Sequence, residues 1–176
     1  MGEITGKHTV YETPWFQLES KEVDGDDEAP FYALNLSDYV GVFAIHSDDR
    51  ILLVKQYRPA VERETLEFVA GHVEHGETPK EAAMRELREE TGYRAATWTA
   101  LGSSWPDTGR LGNRHWGFLA QDLEPLDNYS PEEGVEPLSL SPSAFLEAIQ
   151  NGQFAPSLHL GLVTAAMARG LWKLPN

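Results

Sequence analysis

Gly71-His72-Val73-Glu74-His75-Gly76-Glu77-Thr78-Pro79-Lys80-Glu81-Ala82-Ala83-Met84-Arg85-Glu86-Leu87-Arg88-Glu89-Glu90-Thr91-Gly92-Tyr93 is where the hydrophobic period of this chain changes. Within it, Thr78-Pro79-Lys80-Glu81 is a capping box with proline at the first helical position, and Gly92 suits a left-handed C-cap. The spacing therefore predicts a helix over 78–91. At about 100° per residue, Glu86, Glu89 and Glu90 fall within an arc of roughly 100°, beside an apolar arc of Ala83, Met84 and Leu87. Like charges at these spacings repel by a few tenths of a kcal/mol per pair, a repulsion a divalent cation would relieve. The plainer alternative is a solvated face laced by Arg85 and Arg88.

Working outward, the first seventy residues hold short apolar or β-branched segments at His8–Thr13, Trp15–Val23, Phe31–Asn35, Tyr39–His46, Ile51–Tyr57 and Thr65–Val69. Polar links such as Asp24-Gly25-Asp26-Asp27 and Ser47-Asp48-Asp49 separate them. Strands resume at Ala95–Leu101 and His115–Leu123, followed by helices at Pro142–Gln150, behind a Ser141 cap, and from about Ser157 to Leu171. Strands, a central helix, more strands and terminal helices predict an α/β (α+β) sandwich with a mixed sheet. A length of 176 residues predicts one domain, with an N-terminal antiparallel β subregion at about 1–37 and a core at about 38–176.

Composition narrows the chemistry. There are 14 Lys and Arg against 28 Asp and Glu, a net charge of −14 that repels nucleic acid and anionic membranes. The absence of cysteine excludes disulfides, thiol nucleophiles and thiolate metal sites, so any metal must use oxygen or imidazole. No apolar run approaches the roughly 18 residues that span a bilayer, and the N-terminus has no apolar leader segment. The expectation is a cytoplasmic chain with no nucleic-acid or membrane partner.

The spacing of the central stretch is specific. Gly71, Glu77, Arg85, Glu86, Leu87, Glu89, Glu90, Gly92 and Tyr93 form the pattern G-x5-E-x7-R-E-U-x-E-E-x-G-U, where U is bulky and apolar. Its fixed positions would coincide by chance in a chain this size less than about once in 10⁵, given ordinary residue usage. With this pattern the chain resembles the Nudix hydrolases. The resemblance implies a Nudix-type α/β/α sandwich, with Mg²⁺ or Mn²⁺ held by Glu86, Glu89, Glu90 and the Ala70 carbonyl against a diphosphate. It further implies that Arg85 and Glu77 orient those ligands and that Glu89 and Glu90 take part in catalysis.

The likeness extends further. Leu53-Val54-Lys55-Gln56-Tyr57-Arg58-Pro59 and Thr65-Leu66-Glu67-Phe68-Val69-Ala70-Gly71 are similar to the region upstream of this motif in ADP-ribose and other nucleotide-sugar pyrophosphatases. That resemblance implies a metal-dependent hydrolysis giving a nucleoside monophosphate and a sugar phosphate, with Arg58 on the diphosphate and Glu67 near the distal sugar. Trp105 to His115, including Arg110, resembles a substrate-side loop, although Thr108 stands where ADP-ribose hydrolases carry proline and Pro106 is the nearest. Glu132-Glu133-Gly134-Val135-Glu136 resembles an acidic loop before a strand, in which Glu133 would be a further catalytic glutamate. The family likeness also implies a homodimer with exchanged N-terminal strands, where Trp15 could cover the base; packing is the plainer role for Trp15, Trp105 and Trp116. His72 and His75 lack further partners for a zinc site by sequence.

Overall fold

The structure is a computed structural model describing residues 2–25, 29–130 and 132–175. Three strands, β1 (Ile4–Glu12), β2 (Gln17–Val23) and β3 (Phe31–Asn35), make an antiparallel sheet in that order. Asp26 and Asp27 of the link after β2 lie outside the described residues. Trp15 belongs to a turn rather than to β2. The Thr13 hydroxyl accepts from the backbone N–H groups of Trp15 and Phe16, and Thr13 N–H donates to the Phe16 carbonyl.

The larger sheet contains β4 (Tyr39–Ile45), β5 (Ile51–Arg58), β6 (Arg63–Glu67), β7 (Val69–His72), β8 (Tyr93–Ser104), β9 (His115–Pro125) and β10 (Val135–Leu140). Its order is β10-β5-β4-β9-β8, with β6 pairing β5 and β7 pairing β4. Only β4 and β9 run parallel among the described pairings, so the sheet is mixed as predicted. Helix α1 (Pro79–Thr91) packs on one face, and α2 (Pro142–Gln150) and α3 (Ser157–Ala168) cover the other.

Side-chain alternation explains the two layers. From β4, Val40, Val42 and Ala44 face α1, while Phe43 and Ile45 face α2 and α3. On β5 the division is Leu52 and Val54 against Ile51 and Leu53; on β9 it is Phe118 and Ala120 against Leu119. Strands covered on both faces read as continuous apolar runs, as Tyr39–Ile45 does. Phe43 stacks on Phe68 at 4.7 Å, and Phe145 and Phe154 complete that aromatic cluster. Burying each such ring contributes about 1.5–3 kcal/mol.

The segment predicted as one strand over Thr65–Val69 is two. The break falls at Phe68, whose N–H donates to His159 Nδ1 at 3.1 Å instead of to a neighbouring strand. Strand β10, which the acidic loop was expected to precede, starts inside that loop at Val135 and carries Pro137. Pairing only with β5, it is an edge strand, where a missing N–H is tolerated. Helix α3 ends at Ala168, short of Leu171, because the chain turns at Gly170 with φ 68°.

Candidate functional site

Helix α1 begins as its sequence dictates. Thr78 Oγ1 accepts from Glu81 N–H, the Glu81 carboxylate accepts from Thr78 N–H at 2.9 Å, and Pro79 follows. It ends on Gly92 at φ 70°, whose N–H returns to the Arg88 carbonyl. Buried Ala82, Ala83 and Leu87 seat it on the sheet, so Glu86 and Glu90 are turned toward β7. Gly71, on β7, is what lets Glu86 come so close: a Cβ there would overlap the Glu86 carboxylate. One turn on, Glu90 is 5 % exposed and accepts from Ala70 N–H at 3.3 Å.

Arg85 organises the acidic groups through five hydrogen bonds. It binds Glu77 through two nitrogens at 3.1 Å each, Glu86 at 2.7 Å, Glu89 at 3.1 Å and the His72 carbonyl at 2.9 Å. Hydrogen bonding to Arg85 holds the Glu77 carboxyl below its ordinary range. The other carboxyls move the opposite way. Burial raises the Glu86 carboxyl, and burial together with the nearby Glu86 charge pushes Glu90 up to about 8. Among the described residues, no three His, Asp or Glu side chains converge closely enough to hold an ion by themselves. Two carboxylates, Glu86 and Glu90, do meet at the Ala70–Gly71 backbone, and Mg²⁺ characteristically takes one or two carboxylates, the rest of its shell being water and substrate phosphate. Hard oxygen donors carrying mutual repulsion fit such a cation. Glu89 is held away by Arg85 and is half exposed.

A cavity of about 450 Å³ opens beside this edge, lined by Arg58, Glu67, Ala70 and Gly71 on one side. Arg58 binds the Glu67 carboxylate through Nε and Nη2 at 2.9 and 2.8 Å, and Thr65 Oγ1 donates to it at 2.6 Å. Burial would raise the Glu67 carboxyl, but these bonds outweigh it and the net shift is downward. The cavity thus brings Arg58, Glu67 and Ala70 together, as the sequence grouping required.

The remaining candidates lie elsewhere. Arg110 sits over the Phe31 ring at 4.9 Å in a separate depression formed with Trp105 and Lys21. Trp15 is 76 % exposed and lines neither cavity. Glu133 is exposed on the turn before β10, and it is the neighbouring Glu132 whose charge acts on Glu86 and Glu90. His72 lines the cavity while His75 faces the opposite depression beside Glu77, so the two do not form a pair.

Sequence reasoning missed Tyr39, His115 and His159, which also line the cavity. They are scattered over three elements, and no local spacing connects them. Tyr39 and His115 become neighbours only through the parallel register of β4 and β9.

The site is thus two carboxylates of one helix set against a glycine-bearing strand in an α/β/α sandwich. The NUDIX domain profile matches residues 36–152, and the chain belongs to the Nudix family. It is 33 % identical over 115 residues to an ADP-ribose pyrophosphatase of Bacillus subtilis, covering 64 % of this chain and 62 % of that one. It is 48 % identical over 111 residues to a methanol dehydrogenase activator of Bacillus methanolicus, covering 63 % and 60 % respectively. The chain therefore spans less than two thirds of the length of these curated relatives. The crystal structure of an ADP compounds hydrolase has the same fold, with a TM-score of 0.78 over 97 % of both chains at 21 % identity. No helix among the described residues is long and apolar enough to cross a membrane.

Proposed function

We propose that this chain hydrolyses the diphosphate bond of a nucleoside diphosphate sugar, of the ADP-ribose kind, releasing a nucleoside monophosphate and a sugar phosphate. The observation that carries this is the convergence of Glu86 and Glu90 on the Ala70–Gly71 strand, one wall away from the Arg58–Glu67 pair in an open cavity. The similarity to an ADP-ribose pyrophosphatase supports the choice of substrate class.

Glu86, Glu90 and the Ala70 carbonyl would hold Mg²⁺ or Mn²⁺, with Glu89 as a further ligand once released from Arg85, and the ion would supply charge neutralisation on the diphosphate and activation of water. Arg85 and Glu77 keep the ligating carboxylates positioned. Arg58 is fixed by Glu67 through Nε and Nη2, which leaves Nη1 for a phosphate oxygen. A glutamate accepts the proton of the attacking water as the new P–O bond forms and the bridging P–O bond breaks. Glu90 and Glu89 are candidates on the helix. The acidic turn before β10 supplies another candidate, Glu133, beside Glu132.

We further propose a homodimer in which the N-terminal sheet, with Val10 and Tyr11 exposed on β1 and Trp15 on the turn before β2, meets a second copy and brings Trp15 to a base. Arg110 then faces the same nucleotide half.

The test is release of nucleoside monophosphate from a panel of nucleotide sugars by the purified chain, followed chromatographically with Mg²⁺, with Mn²⁺ and with EDTA. Turnover with either ion and none with EDTA is expected. Turnover that survives EDTA, or none on any nucleotide sugar with either ion, overturns the assignment.

A further inference from the structure

The cavity is also lined by two imidazoles that the proposed chemistry does not use. His159, in the first turn of α3, is 4 % exposed, and His115, the first residue of β9, is 3 % exposed. Their ring centroids stand 6.4 Å apart and tilted by 34°, too close and too inclined for a planar base to slide between them. His159 Nδ1 accepts the Phe68 N–H, so the ring proton sits on Nε2. Among the described residues nothing receives that proton, and nothing bonds either nitrogen of His115. Room for the His115 ring comes from Gly41, where a Cβ would stand 2.6 Å from Nε2.

We propose that His159 and His115 are specificity-determining residues that bind the hydroxyl groups of an uncharged sugar, the half of the substrate distal to the nucleotide. This rests on the nucleotide-sugar reading above. Hydroxyls both donate and accept, which suits one imidazole locked as a donor and another free to choose its tautomer. A negatively charged distal group would find no counter-ion. Burial keeps both rings neutral at pH 7, and Arg58, bonded to Glu67 through Nε and Nη2, has only Nη1 left, which the diphosphate takes. An unpaired buried anion is costly.

The test uses His159→Asn, whose amide oxygen can still take the Phe68 N–H while the outward donor is lost. kcat/KM is measured for ADP-ribose and for adenosine methyl diphosphate, which keeps the diphosphate and lacks the sugar. A loss at least ten-fold greater on ADP-ribose than on the methyl ester is expected, most of it in KM. Wild-type protein should also hydrolyse UDP-glucose at least ten-fold better than UDP-glucuronate. Equal losses on both adenosine substrates, no loss, or indifference to the uronate overturns the proposal. If wild-type protein hydrolyses none of these, the hydrolase reading fails by itself. Imidazole ¹⁵N resonances during ADP-ribose titration then decide: shifts at His159 Nε2 and at His115 sustain the proposal, and unmoved resonances overturn it.

Discussion

Gly71 and Glu90 test the centre from opposite sides. In Gly71→Ala the three atoms nearest the added carbon all belong to the end of the Glu86 side chain, so the fold should survive with Tm nearly unchanged. Displacing that carboxylate should nevertheless weaken the apparent affinity for Mg²⁺ or Mn²⁺ by about 10–100-fold, the range seen when groups that place metal ligands are lost. A titration of activity against metal concentration reads this directly, and an unchanged midpoint would mean that Glu86 need not lie against the strand. Glu90→Gln keeps an acceptor for the Ala70 N–H but removes the carboxyl group that would ligate a metal or carry a proton. We expect kcat to fall at least roughly 10²-fold, with the circular-dichroism spectrum unchanged; near-wild-type turnover would remove Glu90 from the mechanism.

Helix α1 is the element whose start and end are both written locally. Thr78→Ala deletes the cap that holds Glu81 N–H and should cost about 1 kcal/mol, lowering Tm by about 2–4 °C in a chain of this size. Calorimetry showing no change would mean that tertiary packing alone sets the helix start. The same locality made the acidic edge legible, since residues three and four apart on a helix share a face regardless of what surrounds it. Strands β6 and β7 show the opposite case. Nothing in Thr65–Val69 announces that the Phe68 N–H will be received by a histidine 91 residues away. The break between these strands and the histidine lining of the cavity were therefore invisible for one reason, a partner supplied by a distant element. The carboxylate half of the site could be read from spacing, whereas Tyr39, His115 and His159 required the fold.

For the whole molecule, the buried histidines set an acid limit on stability. Burial holds His115 and His159 down to about 4 in the native state, against about 6.5 in an unfolded chain. Between those values the unfolded state binds more protons. Stability from these groups is therefore complete above about pH 6.5 and drains as pH falls toward 4, at up to about 1.4 kcal/mol per pH unit for each ring. Glu90, raised to about 8, pulls the other way as pH climbs from its ordinary carboxyl value, so the histidine contribution is best read as a difference. Urea midpoints between pH 7 and 4.5 should fall less steeply in His159→Asn than in wild type; parallel curves would show that the ring is protonated in the folded state. Finally, the parallel pairing of β4 with β9 brings their first residues, Tyr39 and His115, to a common rim of the cavity. Tyr39 is tied to the reactive centre, because it pairs with His72, whose carbonyl holds Arg85; His115 has no such tie, which gives a lineage, or a mutant library, a place to change what the molecule accepts while leaving intact how it reacts.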